Sequence, residues 1–112
     1  MFTKDLSIAY LLDFYGDVLS DRKKSVLDDY YNNDLSLSEI AQELGISRQG
    51  VRELIKKAEE ELLFLEEHLH LHQRSVEVAE AARTLLALPM EETVRRAVEA
   101  LVQAAEGISL PK

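Results

Sequence analysis

The sequence contains no cysteine and no tryptophan, only two prolines and only four glycines. Without cysteine there are no disulfides, no thiolate nucleophile and no thiolate-bound metal, a composition suited to a reducing compartment. With so few breakers the chain has little to interrupt helices. No Asn-Gly or Asp-Gly pair stands between alternating runs to signal a β-hairpin. Long apolar runs are missing as well: the longest, residues 85–90, is far short of the roughly 20 residues a bilayer span needs. Asp13 and Asp17 interrupt the N-terminal stretch where a secretory signal stays apolar. The expectation is a cytoplasmic protein with no membrane partner.

Positive charge is also scarce. Thirteen Lys and Arg face 21 Asp and Glu, a net charge of -8. A polyanion can then be met only where cations are concentrated, because charges more than about 8 Å apart are screened at physiological salt. What the chain does have is length and apolar content enough for one small globular domain with an extension: 112 residues, 46% hydrophobic.

Helical periodicity organises that content. A first helix is expected over residues 6–15, with Leu6, Ala9, Tyr10, Asp13 and Phe14 three and four apart, stopped by Gly16. A second, capped by Ser20 with Asp21 in its first turn, turns Val26, Leu27, Tyr30 and Tyr31 inward and ends in Asn32-Asn33-Asp34. Ser36 and Glu39 form a capping box that starts a third, with Leu37, Ile40, Ala41 and Leu44 inward and Gly45 at its end. Ser47 caps a fourth that runs unbroken for more than twenty residues. A fifth spans residues 73–88 with Val76, Ala79, Leu85 and Leu86 as its apolar set. A sixth, between Pro89 and Gly107, carries Val94, Ala97, Val98, Leu101, Val102 and Ala105. The expected division is residues 1–72, ending with the long fourth helix, and a C-terminal helical extension, 73–112, for packing or dimerisation.

The junction of the third and fourth helices is the most specific feature. Two helices that cross steeply through a tight turn need a small residue at the close approach, a glycine to turn the chain and a branched apolar plug. Ala41, Gly45 and Val51 supply these, with Ile40, Leu44, Ile46 and Leu54 closing around them. That is the helix-turn-helix pattern, in which the second helix enters the DNA major groove by its N-terminal end. The fold class expected is therefore all-α.

At 100° per residue, Val51, Leu54, Ile55 and Ala58 of the fourth helix face inward, and Gln49, Arg52, Glu53 and Lys56 face outward with Arg48 and Lys57 at the flanks. Gln reads adenine bidentately and Arg reads guanine, so the residue types suit base contact, although a charged helix face is more often simply solvated. Residues 48–57 hold Arg48, Arg52, Lys56 and Lys57 against Glu53 alone. Arg22, Lys23 and Lys24 form a second basic cluster placed to meet phosphates. The acid lies further along, in Glu59, Glu60, Glu61, Glu66 and Glu67. DNA is the expected partner, bound weakly by a monomer because few phosphates are neutralised.

The fourth helix also carries a heptad seam: Val51, Ile55, Ala58, Leu62, Leu65 and Leu69 recur at spacings of four and three. The seam serves either the chain's own helices or a homodimer through Leu62, Leu65 and Leu69. Dimerisation is favoured because so long an apolar helix has little else to cover it. His68 and His72, four apart, have a metal-compatible spacing, while His70 points away. With no further histidine and no cysteine, no metal site is expected, and the histidines suit a helix end. No phosphate loop, nucleophile–base pair or carboxylate pair appears, so neither catalysis nor a cofactor is expected.

Residues 11–62 resemble the YlxM-like helix-turn-helix proteins, whose DNA-binding half is similar to region 4 of sigma-70 factors. The resemblance is carried by Asp13-Phe14-Tyr15, by Tyr30-Tyr31, and by the runs DLSLSEIA and ISRQ. Gly50, where that pattern has alanine, and Arg52, where it has an acidic or other polar residue, depart from it. The resemblance implies an all-helical cytoplasmic protein that regulates in the signal recognition particle pathway. It leaves room for docking on RNA polymerase, or for an adaptor that binds the particle's protein or RNA.

Overall fold

The computed structural model describes residues 6–108, and among them all regular structure is helical. In chain order the helices are α1 (Leu6–Tyr15), α2 (Asp21–Leu27), α3 (Leu37–Leu44), α4 (Arg48–Leu69), α5 (Leu71–Leu86) and α6 (Glu92–Glu106). None is long and apolar enough to cross a membrane. The described residues fall into two compact units that divide at His68 and Leu69.

In the first unit, α1 spans the residues expected but presents a different face. Leu6 and Tyr10 are 73% and 63% exposed, whereas Ile8, Leu11, Leu12, Phe14 and Tyr15 are buried. The expected stripe contained Asp13, which cannot be buried cheaply. The stripe through Ile8, Leu11, Leu12 and Tyr15 is apolar throughout and ends in a hydroxyl that finds an acceptor. A tight turn at Gly16–Val18 leads to Ser20, whose Oγ accepts the Lys23 N–H at 3.3 Å and opens α2. Then α2 runs on into a wide helical turn, Asp28–Asn32, closed by the Asn33 N–H on the Asp28 carbonyl. Widening shifts the register and stacks the rings of Tyr30 and Tyr31 edge to face, 5.2 Å apart, with Tyr30 buried. Asp34 then takes a left-handed conformation (φ 55°), which aspartate tolerates better than most side chains.

The capping box that starts α3 is present in both directions: Ser36 Oγ accepts from the Glu39 N–H at 3.1 Å, and Glu39 Oε1 accepts from the Ser36 N–H at 3.0 Å. At the other end Gly45 sits at φ 69°, ψ 32°, and Ile46 N–H reaches back to the Ala41 carbonyl. Only a residue without Cβ adopts that conformation at no steric cost. The chain turns within two residues and α4 begins.

Val51, Ile55, Ala58 and Leu62 of α4 are each 0% exposed, in one core with Ile40 and Ala41 of α3, Val26 and Leu27 of α2, and the buried face of α1. This corrects the expected dimer seam. Leu62 is wholly enclosed and has no surface to offer a partner; Leu65 is half-buried against the same core, and of the expected trio only Leu69 is exposed. Seam spacing records that a helix is covered, not by which chain.

In the second unit, α5 and α6 pack as a hairpin joined by five residues. The contact is made by small side chains, Ser75, Ala79 and Ala82 against Val102 and Ala105. Of the apolar residues expected to be inward, Val76, Leu85, Val94, Ala97 and Leu101 are instead exposed. Small residues let two helix backbones approach closely, so the alanine stripe takes the interface and the larger aliphatics are left on its flank. His70 is left-handed (φ 54°) and separates α4 from α5. The four-residue spacing of His68 and His72 therefore does not run through one continuous helix; His68 Nδ1 lies 2.9 Å from the Phe64 carbonyl, its ring stacked on Phe64.

Candidate nucleic-acid interface

The first turn of α4 sets the geometry of the site. Ser47 Oγ accepts the Gly50 N–H at 3.0 Å, which fixes the helix start and leaves the N–H groups before it facing outward at the positive end of the helix dipole. The buried stripe through Val51, Ile55 and Ala58 then forces the complementary side chains out. Arg48, Gln49, Arg52, Glu53, Lys56 and Lys57 are all exposed. A shallow, open depression along this face is lined by Gln49, Arg52, Glu53, Lys56 and Glu59.

Chemically the face holds two guanidinium forks, a carboxamide, an ammonium and a carboxylate within about two helical turns. Arg can donate two bonds to a guanine edge, Gln can pair with adenine, and Glu53 can accept from a cytosine amino group. Among the described residues, Arg48, Gln49, Arg52 and Lys56 have no ion-pair or side-chain hydrogen-bond partner, so nothing in the fold competes for them.

The second basic cluster is different. Arg22 is exposed and likewise without a partner among the described residues. Lys23 Nζ lies 3.5 Å from Glu61 Oε2 on α4, and Lys24 Nζ bonds Asp17. The hydrogen bond and charge of Asp17 raise the Lys24 pKa above its ordinary value. Both lysines would have to exchange an internal carboxylate for a phosphate. Of the three cations in the cluster, Arg22 is exposed, and Lys23 and Lys24 are partly exposed in ion pairs.

Three carboxylates of α4 that looked merely acidic in the sequence have structural tasks. Tyr15, fully buried, donates its hydroxyl to Glu66 at 2.6 Å; Tyr31 donates to Glu59 at 2.6 Å; and Glu61 takes Lys23. Their partners lie 51, 28 and 38 residues away in sequence, beyond any local spacing rule. Part of the acid that argued against DNA is engaged within the first unit.

With α3, the Gly45 turn and an exposed α4 face in place, comparison with known proteins decides the family. Residues 2–101 match the UPF0122 family, described as "Putative helix-turn-helix protein, YlxM / p13 like". The chain belongs to this family. Similar UPF0122 proteins include one from Symbiobacterium thermophilum, 39% identical over 97 residues that cover 84% of this chain and 91% of the relative. Another, from Thermoanaerobacter sp. strain X514, is 47% identical over 73 residues, 65% of this chain. A third, from Acetivibrio thermocellus, is 46% identical over 78 residues, covering 70% of this chain and 67% of the relative. The match spans 62% of the length of the Thermoanaerobacter relative. UPF0122 is described by its helix-turn-helix, not by an enzymatic activity.

Proposed function

We propose that this UPF0122 protein is a DNA-binding regulator that presents the N-terminal face of α4 to the major groove and serves the signal recognition particle pathway. One observation carries the DNA reading: Arg48, Gln49, Arg52 and Lys56 lie exposed and unengaged on the outer face of the second helix of a helix-turn-helix. Side chains with no packing task, of the types that read base edges, on the helix that this motif inserts are what major-groove recognition needs. The pathway rests on the resemblance to the YlxM-like proteins alone. Gln49 and Arg52 are assigned to bases, and Arg48, Lys56 and Arg22 to the groove edge and phosphates.

The test is an anisotropy titration against a random duplex library at two salt concentrations. Gln49→Ala or Arg52→Ala should lose about 1–3 kcal/mol at the preferred sequence and relax the preference there. Lys56→Ala should weaken binding to all sequences alike. Binding that enriches no sequence and ignores all three substitutions sinks the reading. A second reading, an adaptor for the particle's protein or RNA, is favoured by the net charge of -8 and by the exposed carboxylates Glu60 and Glu67 on α4. Pull-down from lysate with and without nuclease separates the two.

A further inference from the structure

Glu53 stands among the cations of the α4 face. The core residues Val51, Ile55, Ala58 and Leu62 define the inward direction of the helix. Stepping 100° per residue, Glu53 falls within about 10° of the opposite direction, closer than Gln49 at about 30° or Lys56 at about 50°. Arg52 stands about 90° from it and Arg48 about 130°. The group that the first turns of α4 aim most directly away from the core is therefore a carboxylate, not a cation.

That carboxylate has no structural employment. Glu59, which lines the same depression, accepts the Tyr31 hydroxyl at 2.6 Å and lies about 110° from the outward direction. Glu53 is exposed and, among the described residues, has no ion-pair or side-chain hydrogen-bond partner. Lys56 and Lys57 lie three and four residues on, at the spacings where helical ion pairs form, yet neither engages it. Its charge counts against every phosphate that the helix approaches, so it lowers affinity for DNA of any sequence.

The floor of the major groove supplies a use. An ionised carboxylate accepts hydrogen bonds and donates none. Guanine presents only acceptors there, N7 and O6, and thymine an acceptor and a methyl group. Adenine presents its amino group beside the N7 acceptor, which repels the second carboxylate oxygen. Cytosine alone presents an amino donor with no acceptor next to it. Resting on the reading of α4 as a major-groove helix, we infer that Glu53 is a specificity-determining residue. It takes the N4 amino group of one cytosine and rejects the other three bases at that position. The preferred duplex then holds a C·G pair under Glu53, with neighbouring pairs left to Gln49 and Arg52. A face of cations alone would bind without choosing; one carboxylate among them lowers affinity and raises discrimination.

Selection from a random duplex library by the full chain, followed by anisotropy titration, tests this. Wild type should enrich sequences with one position fixed as C·G, discriminating there by roughly 5- to 150-fold. Glu53→Ala should bring discrimination at that position alone to near one, while binding random duplex at least as tightly as wild type. Glu53→Gln should move the preference there from cytosine to adenine, whose N6 and N7 pair with a carboxamide. Glu60→Ala is the control. Glu60 is exposed and points the same way, about 10 Å further along the helix from its entering end. Its loss removes the same charge and should leave the C·G preference intact. A Glu53→Ala chain that keeps the wild-type preference base for base overturns the inference and leaves the DNA reading standing. So does one that weakens binding to all sequences alike, or a Glu60→Ala chain that loses the same position. A wild type that enriches no sequence overturns both.

Discussion

Gly50 and Glu39 show how much a single residue can be made to say. Gly50 occupies the third position of α4, where the family resemblance implies alanine. A Cβ there would stand 3.3 Å from Ser47 Oγ and 3.5 Å from Ile46 Cδ1, contacts a small shift of the serine rotamer relieves. The backbone is already helical, so Gly50→Ala should stabilise the protein by about 0.5–1 kcal/mol, read as a rise in melting temperature. A fall would mean that the Ser47 cap cannot yield. Glu39 is held below its ordinary pKa of 4.5 by the Ser36 backbone N–H and then by the Ser36 hydroxyl. A depressed folded-state pKa contributes stability that is present above the unfolded value and lost as pH falls through the folded one. Thermal melts should therefore show wild type more stable than Glu39→Gln near neutrality, with that gap closing as pH falls below 4.5. An unchanged gap across that range refutes it.

At the scale of the element, the sequence declares its helices best where the signal is short-range. The Ser36–Glu39 box, the Gly45 turn and the Ser20 and Ser47 caps are each written within four residues, and each has the geometry its spacing implies. Faces are harder. For α1, the stripe that counted Leu6 and Tyr10 as inward lost to one ending in Tyr15, whose acceptor Glu66 no local rule could supply. For α5 and α6, hydrophobicity favoured the larger side chains while close approach favoured the alanines. For α4, a four-and-three seam reads the same whether the covering helix is in cis or in trans, and burial of Leu62 decides for cis. Leu62→Ala should consequently lose about 2–5 kcal/mol as an internal cavity, with the oligomeric state unaltered. A soluble, equally stable monomer would contradict that. Gly45→Ala tests the turn. No atom lies within 4 Å of the added Cβ, so any loss, expected at about 1–2 kcal/mol in a denaturant melt, is backbone strain alone.

For the whole molecule the decisive quantity is how charge is distributed, not how much there is. If Arg48, Lys56 and Arg22 are the phosphate and groove-edge cations of one copy, the logarithm of the DNA association constant should fall with that of salt at a slope of about -2 to -3 per reading helix. A dimer engaging both copies should approach twice that. A slope near zero at any protein concentration would assign those cations to solvent. The candidate face itself was legible from sequence, because a buried stripe on a helix defines its opposite. That Lys23 and Lys24 are engaged elsewhere was not, since Glu61 and Asp17 reach them only in the folded chain.

The three ties that α4 makes through its own carboxylates fix something besides stability. Glu59 and Glu66 fall within about 20° of each other around the helix, and Glu61 lies roughly 160° away, so Tyr31 and Tyr15 hold one flank while Lys23 holds the other. Tethers on opposite flanks resist rotation in both senses, and so set the roll of α4 about its long axis. Roll decides where Gln49 points, and Gln49 stands about 25 Å up the helix from Glu66. Loosening the far end, as in Glu66→Gln with Tyr15→Phe, is expected to blur which base is preferred while leaving the charge and composition of the reading face untouched. Selection from a random duplex library measures this, and an unchanged preference would show that α4 is aimed by its core alone.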